Sequence, residues 1–458
     1  MKLTRDINKN IFRGYDIRGV YPTDLNEDVA YTIGRSYGTY IKRFKQVRCV
    51  VGHDNRYSSP ELVKALVTGI IDSGMDVVYL GLVTTPMFYY AQIKLNIPAG
   101  VMVTASHNPK DDNGFKFSVD KNGNCKGEEV QEFYRFTMQQ EFDEDYLGTL
   151  SEYDIRNDYI KLYKENFKFG DRKIKVVLDP GNGTTTCIIK DLYDKFPINY
   201  EIICGESDPT FPNHHPDPCV EENLTMLKER VLESNADLGI AFDGDGDRVG
   251  VIDEKGNYIP TDKYMIIIIR DIINKVDNKK FLYDVKCSKS LSDEIEKLGA
   301  EGICYRTGNS YTKAKVRDDN LPFGGELSGH VYFRDRWPGF DSGLYAGLRL
   351  LEILSKSNKT VSELLDGINK YYSTEELKVA STDEKKVEVV DKIVEYCKEK
   401  GYECNTIDGV RVNFSDGWAL VRYSNTGPNI TTRFEAKTEE RLEELKKEFM
   451  DLISNYNN

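Results

Sequence analysis

The sequence predicts a multidomain α/β protein: three related mixed α/β domains, then a smaller C-terminal α+β domain with an antiparallel sheet, four domains around a central cleft. Three observations predict it. The chain has 458 residues, several times the roughly 100–150 of an ordinary domain. Three stretches repeat one grammar of apolar run, polar or glycine-rich turn, helical pattern and second apolar run, and strands alternating with helices build α/β layers. From about Lys385 the grammar changes to helix, three closely spaced strands, helix, the pattern of an antiparallel sheet with helices packed on it.

The first repeat is "VRCVVGHDNRYSSPELVKALVTGIIDSGMDVVYLG". Its opening run, 47–51, is apolar enough for a buried strand, and Ser59-Pro60-Glu61 opens a helix. The second, "IKVVLDPGNGTTTCIIKDLY", has a strand at 174–178. Its "DPGNGTTT" lacks the lysine of a phosphate loop and reads as a strand-to-helix turn. Residues 238–242 and 249–252 read as two further strands around an acidic loop. "MIIIIRDII" from Met265 is interrupted by Arg270 and Asp271, so it is a buried helix rather than a membrane span. The third repeat is "KKFLYDVKCSKSLSDEIEKLGAEG". In the last domain a helix over 385–400 precedes strands at 408–417, 418–424 and 430–436 and a helix over 439–453. Boundaries near Leu150, Asp253 and Ser373 give domains 1–150, 151–253, 254–373 and 374–458.

Composition narrows the function. A net charge of −13 argues against a general nucleic-acid binder, although local cations can still hold a small anion. Neither a membrane partner nor a secretory leader is expected. Nine cysteines without a C-x-x-C pair fit neither a disulfide framework nor a zinc site, so the cytoplasm is the expected compartment.

"DLGIAFDGDGDRVGVID" carries the strongest chemical signal. Asp243, Asp245 and Asp247 are separated by single glycines and followed by Arg248. Carboxylates this close repel one another. A hard divalent cation removes the repulsion, and oxygen ligands favour Mg²⁺ over zinc. The alternatives are a solvated acidic turn and an EF-hand loop, and the latter lacks its glutamate in register.

In "VMVTASHNPK", Ser106 ends an apolar run. His107 is its direct neighbour and badly placed to act as its base, and no nucleophile-elbow motif surrounds it. It is either a turn or helix-cap serine or the carrier of a phosphoryl group whose oxygens add a ligand to a metal on the aspartates. In "GGELSGHVYF", Glu326, Ser328 and His330 alternate, and an extended chain would project them to one side, suited to vicinal sugar hydroxyls or simply a polar strand edge. "RYSNTGPN" offers Arg422, Ser424, Asn425 and Thr426 on a tight loop, suited to a phosphate or simply to a hairpin turn. Arg13, Tyr15 and Arg18 in "FRGYDIRG" and Lys116 in "NGFKF" put cations within reach of a phosphoserine or in surface ion pairs. "FPNHHPDP", with His214 and His215 among prolines, reads as a rigid loop rather than a metal site.

Taken in order, "FRGYDIRG", "TASHNP", "NGFKF", "FPNHHPDP", "AFDGDGDR", "DVKC", "GELSGH" and "RYSNTGP" resemble the α-D-phosphohexomutases, in particular the bacterial phosphomannomutase/phosphoglucomutase group, over nearly the whole chain. The resemblance implies a phosphoserine at Ser106 and Mg²⁺ held by its phosphate with Asp243, Asp245 and Asp247. It implies Glu326 and Ser328 on the sugar hydroxyls, and Arg422, Ser424, Asn425 and Thr426 on the non-reacting phosphate. Arg18, Lys116, Arg248, Lys286 and His330 then line the reacting side, and Tyr15 and Asn309 touch substrate. The implied reaction is a reversible phosphoryl shift between a hexose 1-phosphate and 6-phosphate, of mannose, glucose or both, with the hexose 1,6-bisphosphate as activator and intermediate and Lys116 or His330 as base. A monomer is expected. One departure stands out: "TGNS" places Asn309 where the group usually has histidine, and asparagine cannot titrate near neutrality. The rival expectations are a phosphatase or phosphotransferase using an aspartate of "DGDGD" as nucleophile, and a sugar-phosphate-binding regulator without turnover.

Overall fold

Uninterrupted apolar runs become central strands. In the computed structural model, which describes residues 1–142, 146–424 and 427–457, the run Cys49-Val50-Val51 is wholly buried. It lies in β2 (Arg48–His53), inside a sheet built with β1 (Ile17–Val20), β3 (Asp76–Leu82), β4 (Gly100–Val103), β5 (Asp112–Ser118) and β6 (Leu150–Glu152). The order is β1-β5-β4-β2-β3-β6. β2 runs parallel to β3 and β4, and β5 antiparallel to β4 and β1. Helices Glu27–Ile41 and Ser59–Asp72 cover one face. They meet at Gly34 and Gly69, where a Cβ on Gly34 would lie 2.2 Å from the Leu66 carbonyl oxygen. Asn26 caps the first helix by accepting from the amides of Asp28 and Val29.

A second sheet follows, formed by β7 (Lys175–Asp179), β8 (Asn199–Ile202), β9 (Leu238–Phe242), β10 (Val249–Asp253) and β11 (Tyr258–Ile259) in the order β11-β10-β9-β7-β8. β9 and β10 form an antiparallel hairpin whose first pair is Phe242 with Val249, so the six residues between them close a tight loop. Both sheets belong to one compact unit, residues 1–261 and 328–364, which also contains a short strand Val331–Phe333 and the helix Gly343–Ser355.

The second unit comprises residues 262–327 and 365–458. Strand Lys280–Asp284 is flanked in parallel by Glu301–Tyr305 and Phe323–Gly325. The isoleucine run forms the helix Thr261–Ile272 with Met265 through Ile269 buried. The C-terminal strands Val410–Phe414, Gly417–Tyr423 and Asn429–Ala436 are antiparallel neighbours. Helices Asp383–Glu399 and Glu439–Asn457 bury Val389, Ile393, Leu445 and Phe449 against them. Both parts of this unit are tied by Arg411, whose guanidinium stacks 4.1 Å from the Trp418 ring and donates to the carbonyls of Val285 and Cys287. Three mixed α/β sheets and one antiparallel sheet are the expected class. All nine cysteines are free thiols, and no helix of the described residues is long and apolar enough to cross a membrane.

Candidate active site

Because β4 and β5 lie side by side, the segment between them must turn back sharply. Ser106 sits in that turn at φ +54°, the left-handed region that L residues avoid, and is only 2% exposed. Such a conformation costs of order 1–3 kcal/mol and persists where neighbours over-determine it. Arg56 supplies the restraint. Its buried guanidinium donates to the carbonyl oxygens of Ser106 and Asn108 at 2.7 Å each and to those of Pro109 and Asp112. Asp54 accepts from Arg56 Nε at 3.2 Å. The Ser106 amide donates to Thr104 Oγ1 at 2.9 Å. A helix-cap role is ruled out, because the chain runs on into β5 and not into a helix.

The β9–β10 loop meets this turn. Asp243, Asp245 and Asp247 are fully buried, with their ligand oxygens within 4.8 Å of one another. Ser106 Oγ donates to Asp243 Oδ2 at 2.9 Å. Asp245 Oδ2 accepts from Thr85 Oγ1 at 2.6 Å and from Lys116 Nζ at 2.8 Å, and Lys116 reaches Asp247 Oδ2 at 2.7 Å. Both glycines of the loop are obligatory. A Cβ on Gly244 would lie 2.5 Å from the Ser106 carbonyl oxygen, and Gly246, at φ +80°, would place one 2.6 Å from Thr185 Oγ1.

Electrostatics divides the three acids. Burial, reinforced by the charges on Asp247 and Asp245, pushes Asp243 well above the carboxylate range. Burial also opposes charge on Asp245 and Asp247, but Lys116 brings both below their ordinary value. Asp245 Oδ1 and Asp247 Oδ1 are buried without a hydrogen-bond partner. Unsatisfied carboxylate oxygens converging with no nitrogen or sulfur donor among them fit a hard divalent cation such as Mg²⁺.

Beside the acids stand Arg248 and His330. Arg248 Nε donates to His330 Nε2 at 3.1 Å, so the imidazole proton is on Nδ1, which faces Asp341 Oδ2 at 2.8 Å. His330 thus has an unprotonated Nε2 that faces Arg248 and a protonated Nδ1 that lies between Asp341 and Asp247, whose Oδ1 is 3.5 Å away. Arg18 is held between Asp16 Oδ2 at 2.6 Å and Asn108 Oδ1 at 2.7 Å, two residues beyond Ser106. Tyr15 lies half-buried in the segment leading into β1. His107 Nδ1 is 3.5 Å from Ser106 Oγ, at the limit of a hydrogen bond. Burial first, then Arg248 and Arg18, press its imidazole well below 6.5.

The extended reading of Glu326, Ser328 and His330 is corrected. After Phe323–Gly325 the chain turns, and Gly329 stands at φ +94°. A Cβ there would meet Cys219 Sγ at 2.8 Å, so the turn hugs its neighbours and the three side chains share no strand face. His330 goes to Arg248, Ser328 is half-buried in the turn, and Glu326 accepts from the Gly308 amide in the second unit.

The second unit gathers another polar group. Arg422, at the end of Gly417–Tyr423, donates through Nε to Asp408 Oδ2 at 3.0 Å, and Asp408 also accepts from Thr307 Oγ1 at 2.7 Å. Lys286 Nζ is 3.5 Å from Glu376 Oε2. Burial disfavours the Lys286 charge, but Glu376 and Asp284 leave its affinity for a proton raised. Asn309 begins the helix Asn309–Asp318, directly after Gly308. Ser424 is half-buried, its amide donating to the Asn429 carbonyl. Asn425 and Thr426 lie outside the described residues.

Within the first unit, then, Ser106, Lys116, the three aspartates, Arg18, Arg248 and His330 converge. Within the second, Lys286 and Arg422 both bear on Glu376, Arg422 and Thr307 share Asp408, and Glu326 accepts from the Gly308 amide just before Asn309. Arg56, Thr85, Asp341, Asp408 and Glu376 were not singled out from the sequence. Only Asp341 carried a usable signal, as an acid a short distance beyond His330; the others are ordinary residues made important by contacts far away in the chain.

Four family models match successive segments, described as phosphoglucomutase/phosphomannomutase alpha/beta/alpha domains I, II and III and the C-terminal domain, at residues 9–144, 157–256, 260–371 and 376–452. The chain is 39% identical to a phosphomannomutase/phosphoglucomutase of Pseudomonas syringae pv. tomato, over 95% of this chain and 93% of that one. It is 38% identical to a phosphoglucomutase of Neisseria meningitidis serogroup A, over 98% and 97%. A crystal structure of a phosphoglucomutase/phosphomannomutase family protein from Burkholderia thailandensis matches with a TM-score of 0.90 at 36% identity, covering 98% of both chains.

Proposed function

Since the chain belongs to the phosphoglucomutase/phosphomannomutase family, we propose that it shifts a phosphoryl group reversibly between C1 and C6 of a hexose phosphate, mannose or glucose, through a phosphoserine at Ser106 and the hexose 1,6-bisphosphate. The observation that carries this reading is the 2.9 Å contact between Ser106 Oγ and Asp243. It brings a hydroxyl and three buried carboxylates to one point, together with Lys116 and Arg248.

In the forward half-reaction, phosphoserine 106 donates its phosphoryl group to the free hydroxyl of the hexose monophosphate. The Ser106 Oγ–P bond breaks, a sugar O–P bond forms, and the hydroxyl proton goes to His330 Nε2, which Asp341 keeps deprotonated by fixing the proton on Nδ1 and which Arg248 vacates as its guanidinium turns to the transferring group. Lys116, Arg18 and Arg248 supply positive charge around the transferring group. Asp243, Asp245 and Asp247, with the serine phosphate, would hold Mg²⁺, which when bound neutralises the transferring oxygens. Arg422, Lys286 and Ser424, with Asn425 and Thr426, suit the phosphate that does not react. Glu326 and Ser328 suit the sugar hydroxyls. In the return half-reaction the bisphosphate, reversed end for end, gives its other phosphate back to Ser106. Domains 1–150, 151–253, 254–373 and 374–458 divide these tasks. Nine free thiols suit a reducing, cytoplasmic setting.

³¹P spectra of glucose 1-phosphate and mannose 1-phosphate, incubated with the protein, Mg²⁺ and a trace of bisphosphate, should show the 6-phosphate appear without inorganic phosphate. The intact protein should carry the mass of one phosphoryl group, absent in Ser106→Ala. Wild-type turnover in Ser106→Ala would overturn the phosphoserine. Net release of phosphate would identify a phosphatase instead.

A further inference from the structure

A second group of metal-ligating side chains lies away from Ser106. Asp179, Cys204 and His214 place a carboxylate oxygen, a thiol and a ring nitrogen within 4.8 Å of one another. They come from three places: the end of β7, the residue pair after β8, and the "FPNHHPDP" loop. Nothing in the sequence pointed to this convergence, since the loop taken alone reads as a rigid turn rather than a metal site.

The local hydrogen bonds orient His214 and Asp179 toward one another, with Cys204 beside them. His214 Nδ1 faces the His215 carbonyl oxygen at 3.0 Å. A carbonyl can only accept, so Nδ1 carries a proton, and Nε2 faces Asp179 Oδ2 at 3.0 Å. A backbone carbonyl on one ring nitrogen is the usual partner of an imidazole that ligates through the other. Asp179 Oδ1 accepts from the Gly181 amide at 2.9 Å, which orients the carboxylate and leaves Oδ2 aimed at the imidazole. Cys204 stands at φ +48°, and its carbonyl accepts from the Asn182 amide at 2.9 Å. The turn is tight as well: a Cβ on Gly181 would lie 3.3 Å from His214 Cε1. Asp179 is fully buried, whereas the His214 side chain is 11% exposed and Cys204 is partly exposed, so the group has an outlet to solvent on one side.

We propose that Asp179, Cys204 and His214 form a zinc site, distinct from the aspartate loop, with one coordination position left to water. Sulfur, nitrogen and oxygen donors together suit borderline Zn²⁺, whereas the all-oxygen set at Asp243, Asp245 and Asp247 suits Mg²⁺. On binding, the proton between His214 Nε2 and Asp179 Oδ2 and the Cys204 thiol proton leave to solvent. The site would staple the turn at residues 180–184, where the Thr184 amide donates to the Gly244 carbonyl at 2.8 Å and Asn55 Nδ2 donates to the Asn182 carbonyl at 2.8 Å. Metal there would therefore stiffen the wall behind the aspartate loop without joining it.

The test uses full-length, metal-free protein in excess Mg²⁺, titrated with Co²⁺ as the spectroscopic stand-in for Zn²⁺. Wild type should develop a near-ultraviolet thiolate-to-cobalt charge-transfer band at one equivalent, bleached by Zn²⁺. Cys204→Ser should lose the band and His214→Gln should weaken binding at least tenfold, while Asp245→Asn keeps it. In wild type, Zn²⁺ should protect Cys204 from alkylation, read by peptide mapping, a measurement that needs no variant to fold. Absence of the band, its survival in Cys204→Ser, or unprotected Cys204 would each overturn the site and leave Asp179–His214 as a plain buried ion pair.

Discussion

Replacing Lys116 with methionine tests the electrostatic balance of the candidate site directly. The ammonium lies 2.8 Å from Asp245 and 2.7 Å from Asp247, two carboxylates with no solvent exposure, and its own side chain is only 10% exposed. Removing one partner of a buried ion pair costs about 3–5 kcal/mol, and here a single deletion strips two carboxylates of their cation. Lys116→Met in EDTA should lose about that much unfolding free energy. Mg²⁺ should return part of it, since a ligand at 100 times its Kd stabilises by about 2.7 kcal/mol. Without the ammonium competing for the same acids, Mg²⁺ should also bind more tightly, by roughly tenfold for each 1.4 kcal/mol of repulsion it relieves. Urea unfolding in EDTA and in Mg²⁺, with calorimetric Mg²⁺ titrations of both proteins, measures each quantity. Mutase turnover should be lost throughout if Lys116 acts on the transferring group as proposed, because Mg²⁺ would not replace that cation. A loss below about 1 kcal/mol, or an equal loss with and without Mg²⁺, would refute the assignment of Lys116 as the counter-charge.

Asp341→Asn should lower kcat by about 10²-fold or more with little change in KM, and should move the acidic limb of the pH–rate profile, where a general base must lose its proton; an unchanged profile would remove His330 as the base. His107 titrates well below 6.5, driven first by burial and then by Arg248 and Arg18. The unfolded chain therefore binds the extra proton first, so this contribution to stability is complete above about pH 6.5 and is lost as pH falls toward the folded-state value. His107→Gln should flatten the dependence of unfolding free energy on pH in that window; an identical slope would contradict it. Asn309→His introduces a titrating group, so kcat/KM should gain a limb near pH ~6.5 that wild type lacks, measured with both sugar phosphates.

What could be read in advance was local. The aspartate loop needed only neighbours: two apolar runs to make β9 and β10, and glycines spaced to let three acids turn to one point. The C-terminal hairpins were legible for the same reason. Contacts made by folding were not legible. Thr85 reaches Asp245 across 160 residues, and nothing around "TTP" distinguishes it from any helix cap. Arg56 holds the Ser106 turn across 50 residues from a segment that reads only as the approach to a helix. Alternation misled at Glu326, Ser328 and His330 because a period of two defines a face only where a strand persists, and Gly329 at φ +94° ends it.

The geometry around Ser106 also favours one of two kinds of serine chemistry. A base-activated nucleophile needs an imidazole within about 2.6–3.2 Å of its hydroxyl, itself oriented by an acid. His107 is the adjacent imidazole, yet it stands 3.5 Å from Oγ, and its acid, Asp217, is 4.0 Å from its other nitrogen. The tightly oriented histidine is His330, held by Asp341 and facing Arg248 and Asp247. Ser106 instead donates to Asp243, the acid that burial and its neighbours make most willing to hold a proton. A serine with cations nearby and a poorly placed base is suited to receiving and keeping a phosphoryl group, since little there would activate its hydroxyl toward a carbonyl or a water toward the stored phosphate. The left-handed turn fits the proposed reaction: Arg56 makes four hydrogen bonds that fix the backbone around Ser106, which would hold in place an oxygen that carried the phosphate while the substrate changed ends.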